Sequence, residues 1–170
     1  MLIDVSSVIK ESGSHLDVDF TESIDAFEFM GENYSFYAPA RIKGTVSNNG
    51  KGLEFKAIFT GEMDTSCARC TDDIRVAIEF EINEFFIRDE DHNDQDGDVY
   101  IYSGYQIDVT DAIIDCLVMN IDSRYLCTPD CKGLCPTCGT NLNFETCSCA
   151  DDSIDPRWEK LKALMDDNTH

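Results

Sequence analysis

The sequence predicts an α+β protein: an antiparallel β-rich domain with one packed helix, then a small cysteine-rich segment and a short C-terminal helix. Three observations lead to this prediction. Apolar and polar residues alternate through much of the first part of the chain, a later stretch has helical spacing, and six of the nine cysteines lie between Cys127 and Cys149. The expected boundaries are residues 1–125 for the β-rich domain, 126–150 for the cysteine-rich segment and 151–170 for the final helix.

The strand prediction rests on three alternating segments. Residues 41–47 and 53–60 flank an Asn49-Gly50 pair, which is typical of a β-hairpin because both residues tolerate a positive φ. Residues 73–80 alternate in the same way. One apolar and one polar face indicate an antiparallel sheet that is covered on one side. The residues expected to point inward are Leu53, Phe55, Ala57, Phe59, Ile74, Val76, Ile78 and Phe80.

Two helices are predicted. Residues 108–121 begin with Asp108 as the N-cap and have an apolar stripe suited to lying across the sheet. Within this helix Cys116 stands among aliphatic residues and is expected to be an inert core thiol. The second helix begins with Asp155 as cap and Pro156 as first helical residue. Its short apolar face consists of Trp158, Leu161, Leu164 and Met165.

The charge of the chain restricts its partners. With 34 acidic and 13 basic residues the net charge is −21, which argues against a large electropositive surface that follows phosphates. A basic partner is favoured, although the charge also serves solubility alone. The N-terminus has no basic, apolar export signal, and no apolar run is long enough to cross a membrane. We therefore expect a cytoplasmic protein with no membrane partner and with reduced thiols.

Residues 88–98 form a polar stretch with six carboxylates. The spacing Asp94-x-Asp96-Gly97 resembles part of a calcium loop, but His92 and Ser103 stand where its first Asp and closing Glu belong. A solvated acidic loop is the expected structure.

The cysteine-rich segment contains the element Cys135-Pro-Thr-Cys138-Gly139. A Cys-x-x-Cys turn directs two thiolates at one ion, Pro136 restricts φ in that turn, and Gly139 supplies a positive φ beyond it. We therefore predict a structural Zn²⁺ with four thiolate ligands, two of them Cys135 and Cys138. The sequence leaves open which two of the remaining four cysteines complete the site, the candidates being Cys127, Cys131, Cys147 and Cys149.

Closely spaced cysteines also occur in iron–sulfur clusters and in disulfides. The spacing in the segment matches no standard iron–sulfur arrangement, and a reducing compartment disfavours disulfides. The separate pair Cys67-Ala-Arg-Cys70 is open to three interpretations: a redox couple, a half-site that borrows ligands from elsewhere, or two thiols at a strand end. Redox pairs usually stand at a helix N-terminus, whereas a strand is predicted after this pair. Three scattered histidines and no glycine-rich phosphate loop indicate neither an enzyme nor a small-molecule substrate.

Three motifs together resemble the YceD family, the large ribosomal RNA subunit accumulation proteins: Cys67-x-x-Cys70, Cys131-Lys-Gly-Leu-Cys135-Pro-x-Cys138-Gly-x-Asn-Leu-Asn143 and Asp155-Pro-Arg-Trp158. The resemblance implies a non-enzymatic factor needed for accumulation of large-subunit (23S) ribosomal RNA in ribosome biogenesis, with zinc stabilising the fold. Combined with the acidic charge, it leads us to expect a ribosomal protein or pre-ribosomal particle as partner and only indirect contact with ribosomal RNA. The alternatives are a thiol/zinc redox-responsive switch or chaperone, or a direct RNA-binding zinc protein.

Overall fold

The computed structural model describes residues 1–91 and 99–149. Within these residues the chain forms nine strands, one short 3₁₀ turn at Asp89–Asp91 and one α-helix. The elements are β1 (Leu2–Asp4), β2 (His15–Glu22), β3 (Phe27–Phe29), β4 (Glu32–Phe36), β5 (Ala40–Asn48), β6 (Leu53–Ser66), β7 (Asp73–Arg88), β8 (Tyr100–Tyr102), β9 (Gln106–Asp108) and α1 (Thr110–Asn120).

The centre of the fold is an antiparallel meander of β5, β6 and β7. The predicted β5–β6 hairpin is confirmed: Asn48 pairs with Leu53, and Gly50 in the turn has a φ of +85°. The longest ladder joins β6 to β7, from Leu53↔Phe86 to Ser66↔Asp73. The two strands are therefore connected by a turn at residues 67–72. This turn carries the Cys67-Ala-Arg-Cys70 motif.

The remaining strands extend this meander. β2 pairs with β5, while β4 pairs with the far end of β6 and with β3. β8 pairs with β7 in parallel, and this pairing departs from the all-antiparallel expectation. β1 and β9 form a separate two-stranded antiparallel ribbon.

The core lies on the apolar face of the meander. Phe55 and Phe59 are fully buried there, and the ring of Phe59 stacks on that of Phe80 at 4.6 Å between centroids. The helix α1 covers this core with Ile113 and Leu117, both fully buried. Burial of each such side chain stabilises the folded state by about 2 kcal/mol. As expected, Cys116 is buried with these residues, and burial raises the pKa of its thiol to about 12.

The helix begins slightly later than the sequence indicated. The N-cap is Val109, not Asp108, because Asp108 pairs with Leu2 across the β1–β9 ribbon and stays extended. The Asp108 carboxylate instead accepts a hydrogen bond from the backbone N–H of Thr110 at 3.0 Å. Of the acidic loop predicted at residues 88–98, Arg88 is the last residue of β7 and Asp89–Asp91 form the 3₁₀ turn, while residues 92–98 lie outside the described residues. The predicted helix after Asp155 also lies outside them. The single helix of the described residues, α1, has 11 residues and is too short to span a membrane.

The described fold is thus dominated by β-structure with a single helix. The division of the chain at residue 125 stays a prediction. What the fold does establish is that the β6–β7 turn and the chain that follows α1 are neighbours, because the Ala68 N–H donates to the Tyr125 carbonyl at 2.9 Å. The candidate site is assembled at this meeting point.

Candidate metal centre

Eight of the nine cysteines are arranged in two groups of four. Within each group the four sulfur atoms all lie within 4.8 Å of one another. The first group, quartet I, consists of Cys67, Cys70, Cys127 and Cys131. The second group, quartet II, consists of Cys135, Cys138, Cys147 and Cys149.

Quartet I joins two distant parts of the chain. The sulfur of Cys67 lies 3.8 Å from that of Cys131, and the sulfur of Cys70 lies 3.6 Å from that of Cys127. Both distances are far longer than a disulfide bond of about 2.05 Å. They match the edge of about 3.8 Å that a tetrahedral ion with metal–sulfur bonds of about 2.3 Å requires. The β6–β7 turn thus supplies two candidate ligands, and the chain after α1 supplies the other two.

The turn that presents Cys67 and Cys70 is held by several hydrogen bonds. The Cys67 N–H donates to the Asp72 carbonyl at 2.8 Å, and the Thr71 N–H donates to the Cys67 carbonyl at 2.9 Å. Thr71 has a φ of +60°, a region that β-branched residues rarely adopt and that costs on the order of 1–3 kcal/mol. The surrounding contacts therefore impose this backbone conformation and aim both thiols at the same point.

Quartet II is built on a tighter, local frame. The Cys135 N–H donates to the Thr140 carbonyl at 2.8 Å, and the Gly139 N–H donates to the Cys135 carbonyl at 2.9 Å. Gly139 has a φ of +74°, as its position after the Cys-x-x-Cys turn led us to expect. An antiparallel bridge between Leu134 and Asn141 completes this frame, which we call the knuckle (residues 133–143). All four ligands thus come from 15 residues of one continuous segment.

The two quartets differ in their contact with solvent. In quartet I, Cys67 and Cys70 are each 1% exposed and Cys131 is 2% exposed, whereas Cys127 is not buried. In quartet II only Cys135 is buried, while Cys138 is exposed. Three of the four cysteines of quartet I are therefore part of the packed interior, where they form a small cluster with Leu126 and Leu134, and quartet II lies nearer the surface.

The thiols of quartet I differ in their pKa values. Burial acts to raise the pKa of Cys67, but backbone N–H groups, the strongest from Arg69 and then from Cys127, outweigh it and lower this pKa to about 6. The Asp72 N–H acts to lower the pKa of Cys70, but burial and hydrogen bonding of its thiol to Cys67 and to the Asp72 carboxylate raise it above its ordinary value. Ionisation of one thiol therefore opposes ionisation of its neighbour.

Quartet II shows the same opposition. Hydrogen bonds from the side chain and backbone of Thr140 lower the pKa of Cys138 to about 6. The hydrogen bond to Cys138 raises the pKa of Cys149 to about 12. Four thiolates at this spacing are stable together only around a cation, which makes each quartet chemically suited to a closed, four-coordinate metal ion.

The structure places all six cysteines named as candidate ligands from sequence, but in two groups. Cys135 and Cys138 are joined by Cys147 and Cys149, whereas Cys127 and Cys131 are joined by Cys67 and Cys70. The sequence predicted one site, whereas the structure has two quartets. It brings Cys67 and Cys70 to the sulfurs of Cys127 and Cys131, which is the arrangement that the half-site interpretation requires. The available signal was the presence of two Cys-x-x-Cys elements, each supplying half of a tetrahedral site.

The fold and site define a class: a β-sheet protein with two tetra-cysteine clusters arranged to hold metal. The chain belongs to the YceD family, whose model, described as "Large ribosomal RNA subunit accumulation protein YceD", matches residues 55–165. The matched range contains every cysteine of both quartets. The resemblance stated from the sequence motifs is thereby confirmed.

Individual relatives agree with this assignment. An uncharacterized protein of Mycobacterium tuberculosis is 32% identical over 102 residues, which is 58% of this chain and 49% of that protein. The uncharacterized protein YlbN of Bacillus subtilis is 25% identical over 150 residues, 86% of this chain and 87% of that protein. The "Large ribosomal RNA subunit accumulation protein YCED homolog 1, chloroplastic" of Zea mays is 44% identical over 45 residues, 26% of this chain and 15% of that protein.

The match thus spans about half the length of the mycobacterial relatives. No solved structure matches the chain significantly.

Proposed function

We propose that this protein is a non-enzymatic factor needed for accumulation of large-subunit ribosomal RNA, and that it acts in ribosome assembly in the cytoplasm. The observation that carries the proposal is the family match over residues 55–165, together with the printed names of the maize and Arabidopsis relatives as accumulation proteins. Those names describe an accumulation factor and mention no reaction. The two cysteine quartets are suited to a structural role, because four thiolates leave no position on an ion for a substrate.

Each quartet is proposed to hold one Zn²⁺. Thiolate ligands favour zinc or iron–sulfur clusters among the common biological metals. A cluster of several irons would spread its four sulfurs over a wider cage, whereas the 3.6 and 3.8 Å sulfur separations in quartet I suit a single ion. Zinc would neutralise part of the thiolate charge and hold the chain together without redox chemistry of its own.

The direct partner is proposed to be a basic ribosomal protein or a pre-ribosomal particle that presents one. The net charge of −21 attracts such a partner at a distance. Several cations of the described surface are engaged within the protein: Arg41 pairs with Asp19, Lys56 with Glu54 and Arg75 with Asp64, each at 2.7 Å. These pairs disfavour a phosphate-binding surface, and contact with ribosomal RNA is therefore proposed to be indirect.

Loss of the gene is expected to lower large-subunit ribosomal RNA relative to small-subunit ribosomal RNA, because the assembling large subunit would be degraded. Expression of the wild-type protein should restore the ratio. Cys116→Ala should restore it as well, since Cys116 belongs to neither quartet, whereas Cys70→Ser should not. Quantification of both RNAs in the deletion strain carrying each variant provides the measurement. An unchanged RNA ratio in the deletion strain would refute the proposed function.

Capture of the partner is expected to weaken as salt rises, because the Debye length falls from about 10 Å at 0.1 M to about 3 Å at 1 M ionic strength. Replacing Asp94, Asp96 and Asp98 with Asn, in the acidic stretch outside the described residues, should reduce capture without reducing stability. A matched variant neutralises Glu79 and Glu81, which are exposed on β7. Affinity purification of the wild-type protein and both variants at several salt concentrations, with the captured proteins and RNA identified, tests this. Equal recovery of the partner with all three proteins at low salt would exclude charge attraction.

A further inference from the structure

Two asparagines of the quartet II knuckle reach over to quartet I. Asn143 lies between Cys138 and Cys147 in sequence, yet its side-chain amide N–H donates to the sulfur of Cys131 at 3.3 Å. Its side-chain oxygen accepts the backbone N–H of Lys132, the residue after Cys131, at 2.7 Å. A residue of one quartet's loop thus contacts a ligand of the other.

Asn141 makes a second connection. Its side-chain amide donates to the carboxylate of Asp72 at 3.2 Å, and the same carboxylate lies 3.2 Å from the sulfur of Cys70, so the amide offsets negative charge beside this sulfur. The side-chain oxygen of Asn141 also accepts the side-chain N–H of Asn143 at 2.9 Å, which fixes the orientation of that amide. The two asparagines therefore form one hydrogen-bonded unit that contacts Cys131 directly and reaches Cys70 through Asp72.

The backbone keeps the two sites in close packing. Leu134 donates its N–H to the Arg69 carbonyl at 3.1 Å, and the Arg69 guanidinium donates to the Cys131 carbonyl at 2.7 Å. Gly133 has a φ of +75°, and a Cβ there would lie 2.9 Å from the Arg69 carbonyl oxygen. The knuckle consequently rests directly against the Cys67–Cys70 turn.

The loop that carries both asparagines is enclosed by quartet II. Cys135 and Cys138 precede it, and Cys147 and Cys149 follow it, so that an ion in quartet II would close the loop. Without that ion the loop would be less ordered. Part of the free energy of metal binding in quartet I would then be used to order the loop, and the net affinity of quartet I would fall. Ligand side chains at metal sites depend on such outer hydrogen bonds for orientation and charge balance.

We infer that Asn143 is a positioning residue that couples the two metal sites: an ion in quartet II orders the loop, and Asn143 then donates to the Cys131 thiolate in quartet I. The inference rests on the proposed ions in both quartets. The N–H···S hydrogen bond withdraws negative charge from a site where four thiolates leave an excess of two negative charges around a divalent ion. Because coupling between sites is reciprocal, an ion in quartet I also strengthens binding in quartet II.

The contact is tested by loading the full chain with ¹¹³Cd²⁺ and recording its NMR spectrum. Wild-type protein should give two cadmium signals, and the one that disappears in Cys147→Ser/Cys149→Ser belongs to quartet II. Asn143→Asp keeps the acceptor for the Lys132 N–H but removes the donor to sulfur, so it should shift the quartet I signal and weaken quartet I about tenfold in chelator competition. Phe144→Ala, in the same loop with a side chain 79% exposed, should do neither.

The coupling is tested by a double-mutant cycle. The quartet II variant Cys147→Ser/Cys149→Ser should also weaken quartet I about tenfold, and adding Asn143→Asp to it should weaken quartet I no further. Independent, multiplying effects of the two changes would overturn the inference, as would a quartet I signal unmoved in Asn143→Asp. If Asn143→Asp does not fold, scalar coupling between the Asn143 amide protons and the quartet I ¹¹³Cd in wild-type protein decides the matter. Failure of the wild-type protein to bind two ions would instead contradict the proposed metal sites.

Discussion

Replacing Cys70 with Ser is expected to reduce bound zinc from two ions per chain to one and to destabilise the β-sheet itself. Quartet I clamps the β6–β7 turn to the chain after α1, and its ligands are separated by 57 residues between Cys70 and Cys127 and by 64 between Cys67 and Cys131. A cross-link that closes loops of this length stabilises a protein by about 4 kcal/mol, which corresponds to roughly 10 °C in the unfolding temperature of a chain this size.

Cys135→Ser is the matched variant in quartet II. Cys135 is also buried, but the four ligands of its quartet are local, so loss of this ion should disorder the knuckle and lower the unfolding temperature of the sheet much less than Cys70→Ser does, only through the weaker binding in quartet I. Metal analysis of both variants, with thermal unfolding followed by circular dichroism in the β-sheet region, makes the comparison. Equal losses of unfolding temperature in the two variants would contradict the distinct roles of the quartets. A single zinc in wild-type protein, or iron with visible absorption, would contradict the proposed ions.

Gly44→Ala is expected to destabilise the sheet by about 3 kcal/mol, since overpacking of close backbone contacts costs this much. Gly44 lies opposite Ala57 in the β5–β6 ladder. A Cβ at Gly44 would stand 2.0 Å from the Lys56 carbonyl oxygen and 2.4 Å from the Ala57 Cα. These are backbone atoms of β6, so no rotation of a side chain relieves the overlap, and the two central strands must separate.

Gly104→Ala is the control for this substitution. Gly104 has a φ of +71° and no atom within 4 Å of an added Cβ, so only backbone strain of about 1 kcal/mol is expected there. Denaturant-induced unfolding of the two variants and the wild type measures the difference. A loss in Gly44→Ala no greater than that in Gly104→Ala would mean that β5 and β6 do not approach as closely as described.

Local patterns in the sequence were sufficient for the secondary structure of the core. Alternation placed Leu53, Phe55, Ala57 and Phe59 on one face, and all four are buried in β6. Helical spacing placed Ile113 and Leu117 on the buried side of α1. These assignments succeed because strand and helix periodicity depend only on neighbouring residues. When one face of the element is buried, apolar residues recur in the sequence with that same period.

Pairings between distant residues were harder to predict. The parallel β7–β8 pairing and the use of Asp108 in the β1–β9 ribbon depend on partners far along the chain, and no local pattern records them. The close approach at Gly44 has the same origin, because glycine in a strand is compatible with many environments and only the position of β6 makes a side chain impossible there.

The cysteines separate the two kinds of information most clearly. Residue type and spacing alone predicted a thiolate metal site at Cys135 and Cys138, since a Cys-x-x-Cys turn can direct two sulfurs at one ion, and left the Cys67–Cys70 pair open to several interpretations. The tertiary structure decided how the half-sites combine: the β6–β7 ladder carries Cys67 and Cys70 to the residues that follow α1, and leaves Cys135 and Cys138 to close with Cys147 and Cys149. A metal site needs four ligands within one coordination sphere, and which sulfurs share that sphere is a matter of distance in space, which strand pairing sets.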